Sequence, residues 1–185
     1  MRIGIVIGSI RDGRKGEAVG RWVAEQASSR TVADYEVLDL RELDVPLLTD
    51  AEPPGAADKE YDSPQVQAWS RAVSACDGFV FVTPEYNHGI PGAFKNAFDS
   101  LWPEWTHKAV AFVSYGSDGG VRAVEAWRPV VAAAMMVGVR ATVSLGTFTD
   151  WDEERFTPQE RRAEELAGTL DAVEQMTGTL LPLRG

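Results

Sequence analysis

The sequence predicts an α/β fold of three layers, in which helices cover both faces of a five-stranded parallel sheet of order 2-1-3-4-5. Two observations carry this. Strand-like and helix-like segments alternate along the chain, the pattern of a parallel sheet built from strand–helix–strand units. Three of the five strand segments are apolar throughout, while two mix polar with apolar residues. Strands buried on both faces read as continuous apolar runs. Segments one, three and four therefore lie in the middle, and segments two and five at the edges.

Taken in order, residues 3 to 8 form a first buried strand rich in Ile and Val. From Gly16 to Ser28 the apolar positions Ala18, Val19, Trp22, Val23 and Ala27 recur at helical spacing. Residues 35 to 40, Tyr-Glu-Val-Leu-Asp-Leu, read as an edge strand. An irregular stretch rich in Pro, Gly and acidic residues runs from 46 to 62. Ser63 offers an N-cap, and Pro64 a first helical position, for a helix reaching Ala75. Phe79 to Val82 is the third strand. Pro91 opens the next helix, whose inner face is Phe94, Ala97, Phe98 and Leu101. Ala109 to Val113 is the fourth strand, and a helix spans Gly120 to Met136. Val139 to Leu145 is the fifth strand, with Arg140, Thr142 and Ser144 alternating against apolar residues. Thr157-Pro158-Gln159-Glu160 reads as a capping box for a last helix carrying Leu166, Leu170, Val173 and Met176.

Size and composition bound the function. The 185 residues suit one domain, 1–185, with a sizeable core. A net charge of -10 argues against nucleic acid as a partner. Against that acidic background one basic cluster stands out, Arg11-Asp12-Gly13-Arg14-Lys15. No apolar run approaches the roughly 20 residues needed to cross a bilayer. The apolar N-terminus is too short for a signal peptide and reads as a buried strand, which makes the expected location cytoplasmic and free of membrane. The single cysteine, Cys76, excludes an internal disulfide and reads as a small buried hydrophobe. Two histidines and one cysteine do not suggest a zinc site. Six tryptophans leave enough apolar surface for a homodimer or homotetramer.

In a sheet of this order, ligands bind beyond the carboxyl ends of the strands, where the order reverses. Three loops reach that place: residues 8 to 16, 84 to 90 and 114 to 120. The first, Gly8-Ser9-Ile10-Arg11-Asp12-Gly13-Arg14-Lys15-Gly16, combines glycines, a hydroxyl, cations and a helix N-terminus, which together suit a phosphate. Its spacing matches neither Walker A nor G-x-G-x-x-G; the plain alternative is a solvated basic turn. The second holds Glu85, Tyr86, Asn87 and His88. The third, Ser114-Tyr115-Gly116-Ser117-Asp118-Gly119-Gly120, has glycines that permit positive φ or close approach to something flat. Taken together, they describe one ligand, FMN, with its phosphate at the first loop and its planar ring between the other two.

These three loops, with Pro84-Glu85-Tyr86-Asn87-His88-Gly89-Ile90-Pro91-Gly92-Ala93-Phe94-Lys95-Asn96-Ala97-Phe98-Asp99 as the most specific piece, resemble the NADPH-dependent FMN reductase family. Its relatives include quinone, chromate and azo-dye reductases. The resemblance runs from residue 1 to about 145 and implies a flavodoxin-like fold. By position, Ser9, Arg11 and the start of helix one, Lys15-Gly16-Glu17, resemble the family's phosphate site. Pro84, Glu85, Tyr86, Asn87 and His88 resemble its ring-binding loop, and Ser114, Tyr115 and Gly116 lie in the loop beside it. The stretch 46 to 62 and Trp102-Pro103-Glu104-Trp105 resemble regions near the substrate face or the subunit interface.

The resemblance implies that NADPH or NADH passes hydride through bound FMN to an acceptor such as a quinone, free flavin, chromate or an azo compound. No side chain is expected to act as acid or base. Arg14, Lys15, Arg41 and Arg122 are the candidates for the 2′-phosphate of NADPH. Two readings compete: a flavodoxin-type electron carrier that does not oxidise NAD(P)H, and an α/β module that binds no flavin.

Overall fold

The computed structural model describes residues 1–184. Five strands form one parallel sheet of order β2-β1-β3-β4-β5: β1 (Arg2–Ile7), β2 (Asp34–Asp39), β3 (Gly78–Pro84), β4 (Ala109–Gly116) and β5 (Val137–Gly146). β3 is buried at every position, and β1 and β4 at all but one terminal residue, whereas β2 and β5 are only partly buried. The apolar pattern therefore reports position in the sheet, as expected.

Alternation of side chains across the strand divides the core in two. Phe79, Phe81 and Phe112 face one side and meet Trp69, Phe94, Phe98, Trp105 and Trp127 from the helices α3 (Pro64–Ala75), α4 (Gly92–Asp99) and α5 (Val121–Ala133) and the turn after α4. Val80, Val82, Ala111 and Val113 face the other side, under α1 (Gly16–Ala27) and α6 (Arg161–Leu180). The three fully buried tryptophans each place their indole N–H on an acceptor: Trp69 on the Ala97 carbonyl, Trp105 on that of Phe98, and Trp127 on the Thr83 hydroxyl. Such pairing removes the cost of burying a polar N–H. Most of the tryptophan content is thus core rather than interface surface; only Trp102 is largely exposed.

Several elements depart from the sequence expectation. Residues 35 to 40 do not end as a strand. The Asp39 carboxylate accepts from the Arg41 amide and starts a short helix, α2 (Leu40–Leu43). The proposed capping box is absent. α6 begins at Arg161 with no side-chain cap, because buried Asp150 takes the Gln159 amide at 3.0 Å and two nitrogens of Arg162 at 3.1 Å. Ahead of it lies an unforeseen hairpin, β6 (Trp151–Asp152) and β7 (Arg155–Phe156). It packs Trp151 on Phe156, and Phe156 on Trp22 of α1. Ser63 does cap α3 through the Val66 amide, as its sequence suggests. The irregular stretch is clasped onto α4 by one amide: Asn96 donates to the Pro46 carbonyl at 2.7 Å and accepts from the Leu48 amide at 2.9 Å. No helix among the described residues is long and apolar enough to cross a membrane.

Candidate functional site

At the carboxyl ends of β1, β3 and β4 the three loops surround a cleft of about 360 Å³. Its size lies within the usual range for small-ligand sites, roughly 300–1,000 Å³. Ser9, Arg11, Lys15, Glu85, Tyr86, Tyr115 and Gly116 line it. Asp12, Gly13, Arg14, Ser117, Thr147 and Glu154 complete its wall. Thr147 and Glu154 come from the segment after β5, where the sequence carried no recognisable motif. A weak signal was present in the charged run Asp152-Glu153-Glu154-Arg155 bracketed by Trp151 and Phe156.

The first loop is braced from beneath. Two guanidinium nitrogens of Arg14 pair with both Asp39 oxygens, and one also donates to the Ser9 carbonyl at 2.8 Å. The Arg14 and Asp39 side chains are 5% and 8% exposed. Arg14 is therefore an internal brace and not available to a nucleotide phosphate, against expectation. Only the pairing of β1 with β2, which sets Ile7 beside Asp39, brings the two together. The hydrogen bond with Asp39 and the charge attraction hold the Arg14 guanidinium protonated more firmly than usual, against burial.

The other cationic candidates also have partners. Arg41 pairs with Asp12, Lys15 with Glu154 at 3.4 Å, and Arg122 with Glu85 and Asp118 at 2.8 Å each. Arg11 differs. Among the described residues it forms no hydrogen bond or ion pair, and its guanidinium lies 5.6 Å from the centre of the Tyr86 ring. α1 starts beside it with no side-chain cap, so its first-turn amides retain donor capacity. A side chain on Gly16 would meet the Tyr115 hydroxyl at 2.5 Å. That hydroxyl is buried without a hydrogen-bond partner, and burial pushes its pKa up.

The second loop turns on Tyr86-Asn87-His88-Gly89. Tyr86 and Gly89 exchange both backbone hydrogen bonds, at 3.1 and 3.2 Å. Asn87 and His88 have φ of 50° and 65°, the signature of a type I′ turn. Asn and His tolerate this left-handed region better than most residues. Asn87 does not cap α4, whose start carries no side-chain cap. Both turn residues are exposed at the tip, outside the cleft wall.

Other expected residues have their side chains engaged elsewhere. The Glu85 carboxylate accepts from the Arg122 amide at 3.0 Å and its guanidinium at 2.8 Å, which caps α5 from outside the helix. Glu17 faces Arg21 on the outer side of α1. Ser114 donates to the Gly119 carbonyl at 2.7 Å and ties down the third loop. In that loop Gly119 and Gly120 have φ of 76° and 75°. A side chain on Gly120 would strike the β4 backbone at 2.8 Å. Pro84 closes β3 and is buried. Glu104 and Trp105 lie in the interior, so of that segment mainly Trp102 faces outward.

Comparison with known proteins agrees with this geometry. The family model for NADPH-dependent FMN reductase matches residues 1–150. An NAD(P)H-dependent FMN reductase of Schizosaccharomyces pombe is 40% identical over 121 residues, covering 64% of this chain and 60% of that protein. A quinone reductase of Pseudomonas putida is 33% identical over 138 residues, covering 68% and 67% of the two chains. Among solved structures, the flavoenzyme NAD(P)H:(acceptor) oxidoreductase FerB of Paracoccus denitrificans superposes with a TM-score of 0.75 over 96% of this chain and 97% of its own, at 19% identity; this likeness concerns the fold. With a sheet of the same order, a cleft at its switch point and a family match over residues 1–150, the chain belongs to the NADPH-dependent FMN reductase family.

Proposed function

We propose that this chain is an FMN-dependent NAD(P)H oxidoreductase that passes reducing equivalents to a small acceptor, with a quinone as the leading class. The observation that carries the reading is the cleft itself: an unpaired Arg11, an uncapped α1 N-terminus and a braced glycine-containing loop meet at one end. That donor set is chemically matched to a phosphate monoester. Beside them stand the hydrogen-bonded Tyr86–Gly89 turn and the glycine-rich third loop. Bound FMN would supply the hydride chemistry.

The protein's part is binding, orientation and shielding. Arg11 and the α1 amides hold the phosphate, and Ser9 and Tyr86 close the wall beside it. Glu85 keeps the second loop fixed to α5, so the turn presents its exposed backbone to the ring edge. Hydride chemistry on the flavin needs no side-chain acid or base, and proton exchange is left to solvent. The family's naming and that of the quinone reductase relative favour this reading over a carrier that does not oxidise NAD(P)H.

We place the activity in one domain, in the cytoplasm, without a nucleic-acid or membrane partner; the net charge of -10 supports the former exclusion. Exposed Leu47, Trp102 and Phe148 support a homodimer or homotetramer. The test is steady-state oxidation of NADPH and NADH by protein of known flavin content, with and without a quinone. Purified protein that neither carries nor takes up FMN overturns the reading. FMN-loaded protein that oxidises neither nucleotide reassigns it as an electron carrier.

A further inference from the structure

A second cavity, about 540 Å³, lies at the opposite end of the sheet, where β3 and β4 begin. Lys59, Asp77, Glu104, His107, Lys108 and Arg184 are among the residues around it. Among the described residues its charges are not balanced. Lys108 is 4% exposed, yet no carboxylate among the described residues pairs with it. Its ammonium donates to the Val73 carbonyl at 2.7 Å and otherwise lies 5.5 Å from the centre of the Phe79 ring. An ammonium carries three donors.

The two acids at the cavity are already engaged. Glu104 accepts from the Tyr61 and Ser70 hydroxyls and the Trp102 amide. Asp77 accepts from the Arg2 amide and pairs with Arg184. Lys59 makes no ion pair among the described residues, and the Arg184 Nε is buried without a partner. Burial, followed by the charge of Arg184, pushes the Lys108 ammonium down to about 8. A buried cation persists at a cost unless something compensates it.

We propose that this cavity is an anion site, taking a compact phosphate-type oxyanion between Lys108, Lys59 and Arg184. The site is separate from the cleft and does not depend on the flavin assignment. Free phosphate and a phosphate carried on a small ester present the same kind of oxygens to the two lysines.

The experiment is calorimetric titration of the full FMN-loaded chain with inorganic phosphate, and separately with AMP, against chloride of matched ionic strength. The parent should bind one phosphate. Lys59→Gln, at an exposed position, should weaken it about 10-fold, the loss of one charge-assisted contact, and Lys108→Met should abolish it. Tighter binding of AMP than of phosphate would support an ester-borne phosphate, and the reverse a free one. No heat beyond chloride, or equal binding by parent and Lys59→Gln, overturns the proposal even if Lys108→Met fails to fold. Phosphate held instead in the cleft would respond to Arg11→Ala and not to Lys59→Gln, which separates this proposal from the fate of the flavin reading.

Discussion

The Ser9 hydroxyl lies 2.7 Å from the Tyr86 hydroxyl, so one hydrogen bond joins the first and second loops across the cleft wall. Ser9 is 1% exposed, and a buried hydroxyl stripped of its partner costs about 1–3 kcal/mol. Tyr86→Phe should therefore lower apo-protein stability by about 1 kcal/mol. In the FMN-loaded protein the loss should shrink, because a phosphate can take over as partner to Ser9. Melting of apo and loaded forms side by side checks this; equal losses would make the hydroxyl pair a structural tie only.

Arg11→Ala separates phosphate binding from ring binding. A charge-assisted contact is worth about 1.5–3 kcal/mol, so FMN affinity should fall roughly 10- to 150-fold while riboflavin affinity stays nearly constant. Fluorescence quenching titrations with both ligands give the comparison. Parallel weakening would move Arg11 into a structural role through its position over Tyr86.

Asn87 is tested best by two substitutions. With φ of 50°, alanine should cost about 1 kcal/mol in apo stability, whether or not flavin is involved. Glycine tolerates that conformation, so Asn87→Gly should leave stability nearly unchanged. If the Asn87 side chain flanks the ring, Asn87→Gly should still weaken FMN binding or shift the flavin absorbance. An unchanged spectrum and affinity would confine Asn87 to shaping the turn.

Asp150 and Arg162 form a buried pair, with side chains 0% and 8% exposed. Removing one partner of such a pair costs about 3–5 kcal/mol, so Asp150→Ala should lower the melting midpoint sharply. Burial alone would raise the Asp150 pKa; Arg162 and the Gln159 and Gly146 amides outweigh it and hold the carboxyl below its usual value. A depressed carboxylate stabilises the fold above its unfolded pKa, and that contribution is lost as pH falls through the folded value. The parent should thus lose more stability than Asp150→Asn on acidification below about pH 4.

Lys108 works in the opposite sense. It is faced by Arg184, Lys59, Asp77 and Cys76, with His107 and Glu104 also at the cavity. Its folded pKa of about 8 lies below the ordinary 10.5. Between those values the unfolded chain binds more protons, so stability rises with pH, by about 3 kcal/mol in total. Below pH 8 the penalty is fully present. Denaturant unfolding at pH 7 and pH 10 should show this rise in the parent and not in Lys108→Met. Phosphate should flatten the parent's curve if it occupies the cavity.

The strand order and the place of the cleft were legible in the sequence because burial leaves a direct record. Phe79 to Val82 and Ala109 to Val113 are apolar on both faces, which only central strands require. The phosphate-type loop was legible because it is contiguous: Ser9, Arg11 and the α1 N-terminus lie within eight residues of one another. What tertiary structure alone decided was which charges are free. Arg14 and Arg11 look alike in sequence, yet Asp39, brought alongside by β2, neutralises one and leaves the other open. Glu85 reads as a site residue but caps a helix 37 positions away. The α6 start follows Asp150 rather than its local capping pattern. Short polar side chains obey whichever partner the fold places within reach, and that partner is seldom near in sequence.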